Sequence, residues 1–476
     1  MKLPKTIVVG VGNGFAFRFF ISSGLVERLQ RQGYVIYLIG DPVFSNSSSV
    51  SFLKGNSQII EALDNRSYLK RFFEYLRANC LPRDIECLTI KQFRHQELSK
   101  MSWLKRLIFV FLWFVFAYSN RARRLFLLTE KCLTDTRVLE EQLRSVKADF
   151  VIVGGLSGFQ FDEIVGEGSL RCGVPVISAI LSWDNLSGLG YRFFDPSLVL
   201  VWSEIMKGDA VKIHRCNPDN VKIVGAIPFY KHFELITSNK ASAGFVAVAN
   251  CYRTICFLTK SPKRFAFNLA LFRKIRNEVI NQGVKVNWII RIHPLTLRTN
   301  SSGEFIFKDE IEGFKELALE YHDIELSLPD ARGTRVVFEN PDSDLAAYLA
   351  ILQKSDLVVS MFSTAMLECA LLDIPTANIC VDNSIFDPFE ATGSVVTSTR
   401  QELSSDFKQD HIRSILDLGE IETYHSVAHL AERVKLIVLS ENPSPCYQKT
   451  KGTGGLLFSM PVDNAIKEIT NFAEVG

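Results

Sequence analysis

The sequence predicts an α/β chain built from two doubly wound parallel sheets, and three observations carry that prediction. Short apolar runs alternate with amphipathic stretches, and many are closed by glycine. The pattern runs from residue 6 to about 225 and restarts after 245. The composition is that of a folded chain, 476 residues with 47% hydrophobic and 22% charged. At about 150 residues per domain, two or three domains are expected. The resulting architecture is two Rossmann-like domains, 1–235 and 236–460, with parallel sheets whose carboxyl ends face each other across a cleft. Residues 461–476 are expected to form a helix that crosses back to the first domain.

In the first domain, Thr6–Gly10 and Val35–Gly40 are short apolar runs that predict strands, with one helix, Phe15–Gln32, between them and Gly33 ending it. Asp41–Ser51 is polar and predicts a loop. Helical periodicity fills roughly 58–146, an insertion with no clear strand. The parallel pattern then resumes. Asp149–Gly154, Val174–Leu181, Leu198–Trp202 and Val221–Gly225 predict strands, with helices at Phe161–Cys172 and Ser203–Arg215. In the second domain, strands are expected at Phe245–Ala249, Ile255–Leu258, Lys285–Ile292, Val336–Phe338, Asp356–Ser360 and Pro375–Ile379. Helices are expected at Pro262–Gln282, Asp344–Gln353 and Ser363–Leu372, and a last one at Val462–Phe472 after the glycine-rich 451–455.

Fifty-four basic against 52 acidic residues give a net charge of +2, so no global field recruits nucleic acid. The ten cysteines form no CxxC pair, which argues against a zinc site or a disulfide framework. The N-terminus reads as running straight into a strand rather than as a secretory leader. Phenylalanine is in excess, 36 residues against 12 Tyr and 5 Trp. Having no polar handle, it must be buried or covered by a partner. The longest apolar run, Leu107–Tyr118, is too short to cross a bilayer. Lys100, Lys105, Arg106, Arg121, Arg123, Arg124 and Lys131 flank it, with Glu130 as the one acid between 100 and 131. Two readings follow. Either this is a core helix with solvated ends, or Phe111 and Phe114 enter a membrane surface while Lys105, Arg106, Arg121, Arg123 and Arg124 meet anionic headgroups.

Four constellations could carry chemistry. Gly10-Val-Gly12-Asn13-Gly14, with Arg18 beyond it, opens the first helix, where glycines admit a ligand and a helix start favours an anion. It lacks the spacing of a dinucleotide or Walker loop. Trp183-Asp184-Asn185-Leu-Ser187 follows a buried strand, so Asp184 can serve as a general base, with its neighbours orienting an acceptor hydroxyl. Arg291-Ile-His293-Pro294 closes another strand. Alternation puts Arg291 and His293 on one face, where a guanidinium and an imidazole suit a diphosphate. Last, Ser360-Met-Phe-Ser363-Thr364 precedes a helix whose first turns carry Glu368, placing hydroxyls and free N–H groups for phosphate and a carboxylate for ribose. Asp387 and Glu390 are weaker candidates. The remaining histidines, including the i, i+4 pair His425 and His429, carry no motif around them.

The strings RIHP (291–294) and SDLVVSMFSTAMLECALLDIPT (355–376), with ILSWDNLSGLGYRFFDPSLVLVWSEIMKGDAV (180–211) and VGAIPF (224–229), resemble the GT-B glycosyltransferases and their relatives. Those relatives include UDP-N-acetylglucosamine 2-epimerases, CDP-glycerol polyol-phosphate transferases and bacterial Kdo and sialic-acid transferases. The resemblance implies a cytoplasmic bacterial enzyme of cell-envelope polysaccharide biosynthesis, peripheral at the inner membrane face if the second reading of 107–118 holds. It would move sugar from a nucleotide-sugar to a surface-polysaccharide or lipid-linked glycan, with no metal and no further cofactor. Arg291, His293, Ser360, Ser363, Thr364 and Glu368 would hold the donor. Asp184 and His293 would act in catalysis, and Gly12, Asn13, Gly14, Arg18, Trp183, Asn185 and Ser187 would face the acceptor. The alternatives on the same fold are a 2-epimerase or a polyol-phosphate transferase, and, in a different class, a non-catalytic scaffold of a glycan assembly complex. Oligomeric state has no sequence signal.

Overall fold

The computed structural model describes residues 4–40, 67–232, 234, 252–260, 267–300, 302–330, 342–371, 374–380, 409–412, 421–440 and 461–475. The expected loop 41–51, the strands Phe245–Ala249 and Val336–Phe338, the 451–455 segment, and Asp387 and Glu390 lie outside the described residues. The chain divides into two compact units, Met1–Lys231 with Gly454–Gly476, and His232–Thr453.

The first unit is built on strands β1 (Thr6–Val11), β2 (Val35–Gly40), β3 (Phe150–Val153), β4 (Val176–Ala179), β5 (Leu198–Val201) and β6 (Val221–Ile223). They pair in parallel in the order β2-β1-β3-β4-β5-β6. Strands β3, β4 and β5 are buried throughout, which explains their uninterrupted apolar character. The single helix expected over Phe15–Gln32 is broken. Gly14–Phe17 (α1) is followed by a π turn, Arg18–Ser22, and by Leu25–Arg31 (α2). Between them Gly24 sits at φ 78°, a left-handed conformation that only glycine adopts at little cost.

The described part of the insertion between β2 and β3, from residue 67 on, is helical. Tyr68–Asn79 (α3), Leu88–Lys100 (α4), Trp103–Tyr118 (α5), Asn120–Cys132 (α6) and Arg137–Val146 (α7) follow in turn. Ser67 and Ser119 cap α3 and α6 by accepting from Lys70 and Ala122 backbone N–H groups. A buried ion network fixes the insertion to the sheet layer. Arg77 on α3 donates to both carboxylate oxygens of Glu130 on α6, at 3.0 and 3.1 Å, and to Glu163 at 2.6 Å on α8 (Gln160–Arg171). Burial works against this guanidinium's charge, but Glu163 and Glu130 outweigh it and raise its pKa. The unit is completed by α9 (Asn185–Gly188), α10 (Glu204–Lys212) and a distant segment, Pro461–Val475. That last helix packs on α2. Asp463 pairs with Arg28 at 2.6 Å, Asn464 donates to the Val224 carbonyl at 3.3 Å, and Phe472 meets Phe150 edge-on.

In the second unit β7 (Thr254–Leu258), β8 (Asn287–Arg291), β9 (Ile324–Ser327), β10 (Leu357–Ser360), β11 (Thr376–Ile379) and β12 (Glu422–Tyr424) form a parallel sheet ordered β12-β11-β10-β7-β8-β9. The two outer strands, β9 and β12, are additions to the sequence expectation. Helices Phe267–Asn281 and Val427–Leu439 share a core with this sheet, where Phe272 packs against Phe257, Trp288 and Phe314. Much of the phenylalanine excess is thus accounted for by burial, with Phe17, Phe19, Phe20, Phe150, Phe193, Phe194 and Phe229 doing the same in the first unit.

Candidate functional site

Doubly wound sheets bind ligands outside the strand carboxyl ends, where the winding direction reverses. In the second unit that point lies between β7 and β10, and β8 borders it. Thr259 directly follows β7, and its Oγ1 accepts from the His293 backbone N–H at 2.7 Å. His293 begins the single 3₁₀ turn Pro294–Leu297, and its Nδ1 accepts from the Leu295 N–H at 3.1 Å. An Nδ1 that accepts places the ring proton on Nε2. Burial, followed by the charge of Arg298, pushes the imidazole pKa down to about 4. His293 is therefore a neutral Nε2–H donor at physiological pH. On the other side of β7, half-buried Ser363 precedes the helix Thr364–Leu371, whose first turn supplies backbone N–H groups. Glu368 lies one turn into it. Its carboxylate accepts from the Tyr348 hydroxyl at 2.8 Å and stands 3.6 Å from His232 Nε2.

Two residues of this set are committed elsewhere. Arg291, expected to face phosphate, is buried and ion-paired to Asp344 at 2.6 Å, and it also donates to Ser327 Oγ at 3.0 Å. It clamps β8 to β9 and to the helix Asp342–Lys354. The alternation that puts it on the His293 face also turns it onto these inner partners. Ser360 is fully buried, and its hydroxyl donates to the Leu258 and Met361 carbonyls. It joins β7 to β10 instead of facing a ligand.

In the first unit the winding reverses between β1 and β3. Gly12 stands there, but a Cβ on it would lie 2.3 Å from the Phe161 ring. Glycine is required here by the packing of α8, which gives the loop a structural reason in place of ligand approach. Asn13 caps α1, its Oδ1 accepting from the Ala16 N–H at 2.9 Å. Gly14 is buried, and Arg18 is exposed. Asp184 is half-buried directly before α9, and its carboxylate makes no hydrogen bond or ion pair with the described residues. Trp183, Asn185 and Ser187, expected to face the acceptor with it, are buried beside it.

Asp162 stands outside every motif that the sequence displays. It sits in the first turn of α8, beyond β3, and its carboxyl accepts from the Gly154 N–H. It is fully enclosed. Burial, with the charge of Glu163 adding to it, raises its pKa to about 8. A carboxyl protonated near neutrality at a winding reversal is a candidate proton donor. Its only sequence signal is an acid just after an aromatic residue in a helix's first turn.

The structure divides the residues of 107–118 and its flanks between burial and exposure. Phe109 and Phe116 are core, whereas Phe111, Phe114, Lys105, Arg106, Arg121 and Arg124 are exposed. Arg123, expected among the exposed cations, is buried instead. It donates to the Phe116 and Ala117 carbonyls and to Asn120 Oδ1, capping the end of α5.

No protein-family model matches the sequence, and no curated protein matches it. Solved structures do. MnaA of S. aureus, in a co-structure with UDP, aligns at TM-score 0.52 and 10% identity over 99% of this chain and 98% of its own. A proposed UDP-N-acetylglucosamine 2-epimerase from Listeria monocytogenes aligns at 0.51 and 9% over the same shares. MurG of Acinetobacter baumannii aligns at 0.46 and 10% over 98% of this chain and 100% of its own. At such identities the first two likenesses speak for the fold alone. That fold is GT-B, with two Rossmann-like units on parallel six-stranded sheets.

Proposed function

We propose that this chain is a glycosyltransferase that takes a sugar from a nucleotide-sugar and passes it to a surface-polysaccharide or lipid-linked glycan acceptor. The observation that carries the reading is His293. Its imidazole is neutral, its proton is held on Nε2 by the Leu295 N–H, and it stands at a strand's carboxyl end beside the winding reversal. Such a donor, with the helix start at Ser363 and Thr364, suits a diphosphate whose charge grows as the sugar departs. Glu368, one turn on, is placed for ribose, with Tyr348 orienting it. Asp184 is the acceptor-side base, because its carboxylate has no other described partner. A nucleotide-sugar 2-epimerase is the second reading, favoured by the structural neighbours that carry UDP or the epimerase name.

A thermal-shift panel of UDP, CMP, CDP, GDP and TDP tests the site. A ligand at 100 times its Kd stabilises by about 2.7 kcal/mol. His293→Ala should weaken the stabilising nucleotide about 10- to 100-fold, the loss of one hydrogen bond to a charged group, while ligand-free stability falls by only about 1 kcal/mol with the loss of its cap on the Leu295 N–H. An undiminished shift in that variant sinks the site, and no shift with any nucleotide favours the scaffold reading. Incubation with nucleotide-sugar alone separates the enzymes, since inversion at C2 without acceptor identifies the epimerase.

A further inference from the structure

Helix α5 packs on the first unit with one face. Phe109, Phe116 and Ala117 are buried there, with Leu112 and Trp113 beside them. The other face carries Trp103, Leu104, Leu107, Ile108, Phe111 and Phe114, each 52–73% exposed. Sixteen residues of helix rise about 24 Å, less than the roughly 30 Å hydrocarbon core, and no described helix is long and apolar enough to cross a membrane. The charge around this face has one sign. Lys105, Arg106, Arg121 and Arg124 are exposed on α5 and α6, and the one acid on these two helices, Glu130, is buried under Arg77.

The apolar face ends in a basic cavity. Phe114 stacks on Tyr118 at 4.3 Å, and the Arg83 guanidinium lies 4.9 Å over the Tyr118 ring. Two adjoining cavities, of about 360 and 490 Å³, open here and share Asn120, Arg123 and Arg215. Six cationic side chains line them against two acids, Asp84 and Asp195. Arg215 binds Asp84 with both oxygens within 2.7 Å, Arg192 binds Asp195 at 2.6 Å, and Lys131 reaches Glu167 at 2.7 Å. Arg83 and Arg124 make no ion pair with the described residues. Arg123 is spent on backbone carbonyls. Its pKa lies below the ordinary value, through burial first and then through the charges of Arg215 and Arg124. The cavity therefore holds more positive charge than its own acids balance.

We propose that α5 and this cavity form one lipid site, in which the cavity takes the phosphate of an anionic phospholipid and the Phe111–Phe114 face lies in the acyl region of the same leaflet. The helix lies in the plane of the surface. Charge complementarity selects the occupant, because a second copy of the chain would bring the same cations against each other. The site does not depend on the nucleotide chemistry of the second unit.

Vesicle flotation of the full chain at about 0.15 M salt tests this. The protein should float with phosphatidylglycerol-containing vesicles and stay behind with pure phosphatidylcholine. F111S/F114S should abolish flotation while the melting temperature is kept, since both side chains are already exposed. R83Q/R124Q should weaken binding about 30-fold, from about 1 kcal/mol per basic residue near an anionic surface. Equal flotation with both vesicles, or an unaffected R83Q/R124Q, overturns the cavity's role. Collapse of F111S/F114S stability shows these residues to be core and overturns the lipid face. A dimer by light scattering that F111S/F114S converts to a monomer assigns the face to a second copy. Stabilisation by inorganic phosphate without flotation assigns the cavity to a free anion. Either result overturns the proposal.

Discussion

Asp162→Asn gives a pH signature that follows from one buried proton. In the folded chain the carboxyl is raised to about 8, against an ordinary value of 3.8. Between those values the folded state keeps a proton that the unfolded chain has released. Stability is therefore full below the unfolded pKa and falls as pH rises toward the folded one, by about 1.4 kcal/mol per pH unit. From pH 5 to pH 7 the loss is roughly 2.7 kcal/mol, or roughly 5–10 °C for a unit of this size. Asparagine keeps the shape and accepts the same Gly154 N–H without a titrating proton. Scanning calorimetry of both proteins at pH 5, 6, 7 and 8.5 should show the variant's advantage growing by that amount between pH 5 and 7. It should then level off above pH 8. Any fixed cost of the amide cancels in this comparison, because only the growth with pH is diagnostic. An advantage that stays flat refutes the reasoning. It would mean that the Gly154 N–H and the start of α8 hold the carboxylate ionised.

Two further perturbations test the residues assigned to structure. Arg291→Ala strands Asp344 as a buried, unpaired charge and should cost about 3–5 kcal/mol in denaturant unfolding. R291M/D344L should recover most of that and keep nucleotide-induced stabilisation. A stable double variant that no longer responds to nucleotide would return Arg291 to the phosphates. Gly12→Ala drives a methyl into the Phe161 ring and should destabilise by about 1–3 kcal/mol, with partial rescue in G12A/F161L. An Ala variant of normal stability would remove the packing explanation.

The parallel sheets are legible in the sequence because their central strands are buried on both faces, so DFVIVG, LVLVW, KVNWIIRI and DLVVS stand out as unbroken apolar runs. Edge strands give a weaker signal. Ile324–Ser327 and Glu422–Tyr424 carry polar or half-buried residues at most positions, so no apolar run marks them. The placement of His293 at a strand end is visible from local pattern. The commitment of Arg291 is not, since Asp344 is 53 residues away and nothing in either segment announces the pairing. Gly12 is the same case. Its glycine signal is plain, but the ring that demands it, Phe161, belongs to a helix far along the chain. Asp162 is invisible in sequence because its pKa depends on enclosure, which a sequence window does not display. The division of 107–118 into a buried and an exposed side is likewise hidden in the sequence, because both faces of the helix are apolar.

The helix Pro461–Val475 belongs by packing to the unit that opens the chain. The order of synthesis is therefore not the order of completion. When the ribosome has finished the first 231 residues, the surface formed by α2 and the Val224 carbonyl still lacks its cover, with Arg28 waiting for Asp463 and Phe150 for Phe472. The second unit, continuous in sequence, can close before the first. A nascent chain halted anywhere before residue 461 would hold an unfinished first unit for chaperones or proteases to find.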